Sequence, residues 1–234
     1  MTHPHIALTG KRLTTPRAAS IAGILFAILF TTSVVLIRLS LPTASSASGV
    51  WPEIEPSRLR PALSLMPFAG IAFLWFVGVV RDRLGAFEDQ FFSTVFYGSG
   101  LLFLAMIFAA SAIAGGIAAS YSVDPAGFTS SDTYQFGRSI MSQFFTIYAL
   151  RMAGVFVISL GTIWFRTGLM PRWLSIITYL FALILILSTS VNLWMVLVFP
   201  GWVLIISLYI LIHNLKHQAP GDSDGMTVSL TGQV

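Results

Sequence analysis

With 234 residues, of which 56% are hydrophobic and only 9% charged, the chain is excluded from the water-soluble class, whose domains carry about 25% charged residues. The formal charge of +4 would suit nucleic acid in a soluble protein. Here the basic residues gather at the ends of apolar runs, where they orient a membrane chain and meet headgroups, so the bilayer is the expected partner and nucleic acid is not.

Residues 1–17 are polar, carry Lys11, Arg12 and Arg17, and read as a cytoplasmic N-terminal segment. The first apolar span runs from 18 to 41. It is longer than the core of a signal peptide and is expected to be retained as an anchor. A Ser- and Pro-rich connection follows, with a short surface helix expected to begin near Pro56. Span 2 covers 62–80. The connection Arg81-Asp82-Arg83-Leu84-Gly85-Ala86-Phe87-Glu88-Asp89 places five charges in nine residues. Its ordinary reading is a solvated, charge-balanced turn, and its sharper one is a cytoplasmic contact surface.

Span 3 covers 91–119, long enough to tilt or to project from the bilayer. Asp124-Pro125-Ala126-Gly127 signals a turn, and Thr129-Ser130-Ser131-Asp132 a helix N-cap. Span 4 covers 140–165. The turn RTGLMPR then leads into an apolar block from 173 to 213. As one helix that block would be roughly 60 Å long, too long for any bilayer, so it must reverse. The cluster Ser188-Thr189-Ser190-Val191-Asn192 is the preferred place; a turn at Pro200-Gly201 is the alternative, and otherwise that pair lies inside the last span. Residues 216–234 show no apolar periodicity and are expected to form a disordered cytoplasmic tail.

The expected fold is therefore all-α: a polytopic bundle of about six transmembrane helices over 18–215, with both termini on one side. Lys11, Arg12, Arg17, Arg81, Arg83, Arg166, Arg172 and Lys216 fall on that side. Arg58, Arg60 and Arg138 fall on the other, with Arg38 near its edge. The positive-inside rule makes both termini cytoplasmic.

Arg151 is the leading candidate for a ligand or partner site. It falls near the middle of span 4, where an arginine costs about 2.5–3.5 kcal/mol on insertion scales, and such residues usually face the bundle interior. No carboxylate shares its expected depth. Ser and Thr hydroxyls, freed backbone carbonyls, Asn192, or an anionic solute or lipid are its possible acceptors. In the segment from 109 to 120, Ser111, Gly115 and Ala119 share one helix face, and Ala112, Gly116 and Ser120 another. Gly154 and Gly161 give a small face on span 4. These faces allow close helix packing in lipid, within the monomer or against a partner. Trp51, Trp164 and Trp173 suit interfacial belts, whereas Trp75 and Trp194 are deeper and read as packing or cavity-lining residues.

Catalytic signatures are weak. Tyr97-Gly98-Ser99-Gly100 departs from the intramembrane-protease pattern at its first glycine, and His213 is too far along the helix axis to activate Ser99. Adjacent carboxylates such as Glu88 and Asp89 diverge on a helix, so no metal site is expected. No P-loop, dinucleotide fingerprint or haem-ligating His pair appears, no cofactor is implied, and the two halves show no internal repeat of the transporter kind.

The segment PFAGIAFLWFVGVVRDRLGAFEDQFFSTVFYGSGLLFLA resembles a group of actinobacterial six-span membrane proteins. RTGLMPRWLSI looks similar to the same group and loosely to the DUF4386 type. The resemblance implies a six-helix fold in an envelope membrane and carries over no activity or site residue. The expected function is that of a non-enzymatic plasma-membrane protein, an accessory or assembly subunit beside a larger envelope transport system, with a membrane-protein partner or a second copy. The alternative is a small transporter or channel for an anionic or lipid-like ligand that uses Arg151.

Overall fold

The computed structural model describes residues 16–40, 56–84, 90–129, 131–168, 170–188 and 193–216. Among them there is no strand. The helices are α1 (Pro16–Ser40), α2 (Pro56–Leu84), α3 (Gln90–Val123), α4 (Pro125–Thr129), α5 (Asp132–Gln143), α6 (Leu150–Thr167), α7 (Arg172–Leu187) and α8 (Val198–Lys216). A π-helical turn, Phe144–Ala149, joins α5 to α6, and a 3-10 turn, Leu193–Leu197, leads into α8. Among the described residues, five helical stretches are long and apolar enough to cross a membrane: Ala18–Ser40, Ser57–Arg81, Phe91–Val123, Asp132–Thr167 and Trp194–His213. The chain is thus a multi-pass membrane protein. The remaining apolar helix, α7, has 16 residues, about 24 Å at the α-helical rise.

Local chemistry sets most boundaries. Asp124 accepts from the Gly127 N–H at 3.1 Å and opens α4. Ser131 caps α5 by accepting from the Tyr134 N–H at 3.2 Å, as the N-cap pattern requires. Gly168, at φ 66°, ends α6 in the left-handed conformation and donates to the Trp164 carbonyl at 3.0 Å, a conformation glycine adopts without steric cost. Near Ser188 the preferred reversal is observed: α7 stops at Leu187, and Pro200 falls in the first turn of α8, where its missing N–H costs little. The expected separate surface helix at Pro56 is corrected, because α2 continues unbroken through Pro61 and Pro67.

Each long helix runs antiparallel to its neighbour in sequence, and α8 closes back onto α1, so that α1, α2, α3, α6, α7 and α8 form a ring. Ser33 donates to the Ala62 carbonyl at 2.6 Å across α1 and α2. Its centre is aromatic. Phe73 of α2 stands 4.9 Å from Phe26 of α1, 5.5 Å from Phe103 of α3, 5.3 Å from Phe156 of α6 and 5.7 Å from Phe199 of α8. Phe103 and Phe199 are 4.6 Å apart. All five rings are fully or almost fully buried. Such tilted and edge-to-face pairs add about 0.5–1.5 kcal/mol each beyond their area burial. On α7 the nearest contribution is polar: Thr178 accepts from Trp202 Nε1 at 3.3 Å.

Candidate functional site

Arg151 lies on the second residue of α6, directly after the π-helical turn. Within that turn the Thr146 hydroxyl donates to the Ser142 carbonyl at 2.8 Å. A hydroxyl bonded back to the i−4 carbonyl competes with the helix ladder, and here it coincides with the widened backbone. The Arg151 Nη1 donates to the Ile147 carbonyl, in the same turn, at 3.4 Å. That is beyond the usual 2.7–3.2 Å range, and among the described residues it leaves most of the five guanidinium donors unused.

Arg151 does not face the aromatic centre, which corrects the expectation that it points inward. Leu150, Ala153, Phe156, Val157 and Leu160 form the buried side of α6. Arg151 is half-buried and shares the opposite flank with Tyr148, which is 52% exposed, and Ile158, which is 38% exposed. α7 borders this flank. A Cβ built on Gly154 would lie 2.5 Å from Ile186 Cγ1, 3.2 Å from its backbone nitrogen and 3.3 Å from the Ala182 carbonyl oxygen. Arg151 is three residues further toward the start of α6, about 4.5 Å along the axis. It therefore stands level with the end of α7. Asn192, the sequence-based companion of Arg151, lies outside the described residues.

The charged connection divides in the same way. α2 extends to Leu84 and so includes Arg81, Asp82 and Arg83. The Arg81 guanidinium carbon sits 5.2 Å from the centre of the Tyr97 ring, linking the end of α2 to the start of α3. Arg166 makes the same kind of contact, 4.7 Å from the Phe92 ring. The side chains of Asp82 and Arg83, and all of Glu88 and Asp89, lie outside the described residues. Among the described residues no cluster of three or more His, Cys, Asp and Glu exists.

The two small-residue regions behave differently. Gly161 joins Gly154 against α7, where an added Cβ would lie 3.0 Å from Thr178 Cγ2. On α3 the bundle-facing seam is instead Phe96, Gly100, Phe103, Ile107, Ala110, Ala114 and Ile117. Ser111 and Gly115 are only half-buried beside it, and Ala119 is exposed, as are Ala112, Gly116 and Ser120. The Ser111 hydroxyl donates to the Ile107 carbonyl at 2.8 Å. Gly115 would meet only Leu63 Cδ1 at 3.6 Å. Ser99 is buried and donates to the Phe96 carbonyl at 3.1 Å.

Two tryptophans depart from their expected places. Trp75 and Trp194 face outward rather than inward. Trp164, in the last turn of α6, is buried with its ring 6.1 Å from that of Trp202. Trp173 is exposed and stands 6.1 Å from Tyr209, whereas Trp51 lies outside the described residues. One close approach had no motif to announce it: a Cβ on Gly23 of α1 would collide with the Ser207 hydroxyl of α8. The one signal available was a lone glycine among Ala19, Ala22 and Ala27 on a buried face. Comparison with known proteins finds no matching family model, no matching curated protein and no matching solved structure.

Proposed function

We propose that this chain is a non-enzymatic plasma-membrane protein with six spans, α7 being the sixth, and with both termini cytoplasmic. It acts through its lipid-facing surface as an accessory or assembly subunit of a larger envelope system. The distribution of basic residues supports the orientation. The resemblance of residues 67–105 to actinobacterial six-span proteins agrees with an envelope location. α7 is short for a hydrocarbon core of about 30 Å, a mismatch that local thinning of the bilayer accommodates.

The observation that carries the functional reading is the aromatic centre. Phe26, Phe73, Phe103, Phe156 and Phe199 come from five helices and meet near the middle of the long spans. Transporters place substrate sites at that depth and line them with polar groups and broken helices. This bundle fills it with close-packed rings. Meanwhile an outward α3 face of Ala112, Gly116 and Ser120 remains uncovered, as a helix packing surface in lipid would be.

Purification of the tagged chain from its native membrane in mild detergent, followed by mass spectrometry, tests the reading. A stoichiometric membrane-protein partner is expected, together with solute flux in reconstituted vesicles no greater than in empty ones. Recovery of the chain alone, with flux above empty vesicles, would overturn it in favour of transport.

A further inference from the structure

The geometry points to a binding site for the phosphate group of an anionic phospholipid at Arg151 and Tyr148 on the outer flank of α6, with the lipid's acyl chains lying along α6 and α7. The inference rests on the membrane-spanning reading above and concerns a stationary lipid rather than a transported one.

Depth comes first. α5 is amphipathic and polar as far as Gln143, and the apolar part of the fourth span begins at Phe144. Arg151 is seven residues further in, about 10 Å along the axis. Helical side chains lean toward the N-terminus, and the bond from Arg151 to the Ile147 carbonyl shows that lean. The guanidinium therefore rises about one turn, to roughly 5 Å from the polar boundary. A lipid phosphate reaches that level with slight local thinning of the bilayer, the usual adjustment around intramembrane arginines.

Chemistry comes second. Unused N–H donors in an apolar layer are costly, and among the described residues the single bond at 3.4 Å occupies only one of them. A phosphate offers two acceptor oxygens in the spacing of the guanidinium fork and supplies the missing negative charge. Tyr148, exposed on the same flank, brings a hydroxyl one turn nearer the headgroups.

Shape comes third, and it selects a lipid over a free anion. Ile158 of α6 and Leu183 and Leu187 of α7 are exposed beside and below the arginine. A free phosphate would have to leave water to reach this place, whereas a phospholipid already lies there and covers those side chains with its acyl chains.

The test is native mass spectrometry of the full chain in mild detergent, titrated separately with phosphatidylglycerol, phosphatidylcholine and inorganic phosphate. The expected result is one phosphatidylglycerol retained per chain, with at least a tenfold preference over phosphatidylcholine, and no competition from millimolar inorganic phosphate. Arg151→Leu should lose that preference and Arg151→Lys should weaken it, because an ammonium lacks the planar fork. Arg60→Gln, at an exposed position on α2, should leave it unchanged. A parent chain without the preference overturns the site and needs no variant to do so. So does an Arg151→Leu protein with unchanged thermal melting and unchanged retention, and displacement of the lipid by inorganic phosphate would show a free-anion site instead. A parent that loses the lipid but keeps its membrane-protein partner would remove this site and leave the accessory role standing.

Discussion

On α6, Gly154 and Gly161 let the helix close on α7, Gly154 against its backbone and Gly161 against the Thr178 side chain; on α3, Gly116 faces nothing within 4 Å. Both regions carry the same signature, glycines and small residues at helical spacing within an apolar run. The difference lies in what the chain can bring to each face. α7 is tied to α6 by a turn of a few residues, so the glycine face of α6 has a partner held at high effective concentration. α3 meets α2, α5 and α6 through another face, whose seam of Phe96, Phe103, Ile107 and Ile117 with smaller residues between them already fills the available contacts. A small-residue face is thus a capacity for close approach, and only the topology decides whether the monomer uses it.

Substitution at Gly154 should break the comparison most severely. Gly154→Val places branched carbons against the Ile186 backbone and the Ala182 carbonyl, neither of which can swing aside like a side-chain tip. Overpacking of this kind costs about 1–3 kcal/mol or more. The expected outcome is a much lower midpoint of unfolding in a detergent-denaturation series. Gly161→Ala is gentler, because its nearest neighbour is the Thr178 methyl at 3.0 Å. Thr178 is held by its bond to the Leu174 carbonyl and by Trp202, so a loss of about 1 kcal/mol is expected, offset in part by the better helix propensity of alanine. Thr178→Val separates the two contributions. It keeps the shape but strands the buried Trp202 N–H, for a cost of about 1–3 kcal/mol. A Thr178→Val protein that melts like the parent would show that the hydroxyl plays no part in holding α7 to α8.

Helix order, the Ser131 cap, the RTGLMPR turn and the reversal after Leu187 were legible in the sequence because each depends on residues a few positions apart. What could not be read there depends on residues far apart. Nothing near Phe73 in the chain announces that Phe26, Phe103, Phe156 and Phe199 converge on it, since phenylalanine is equally at home against lipid. The same ambiguity misplaced Trp75 and Trp194: an apolar surround gives no pattern of wet and dry faces to assign a ring to one side. Arg151 was conspicuous by charge, yet its direction was set by the π-helical turn before it, and a turn widened by one residue rotates every following side chain. The Thr146 hydroxyl at its mouth is the one local sign, and threonine in a span has too many other uses to be diagnostic.

The smallest effect on the fold is expected at Gly116, and there the comparison can be sharpened rather than broken. With nothing within 4 Å of an added Cβ, Gly116→Ala should leave the isolated chain unchanged or raise its stability by up to about 1 kcal/mol through helix propensity alone. Gly116→Leu should also fold, because the added side chain enters lipid rather than a neighbour. In the native membrane the two variants should part company. If the α3 face receives a partner helix, alanine is tolerated at close approach and leucine is not. Co-purification of the membrane-protein partner should then survive Gly116→Ala and fall at least severalfold with Gly116→Leu, while both purified variants melt like the parent. Equal recovery with Gly116→Leu would show that this face meets only lipid, and the contact surface of the accessory role would have to be sought on another helix.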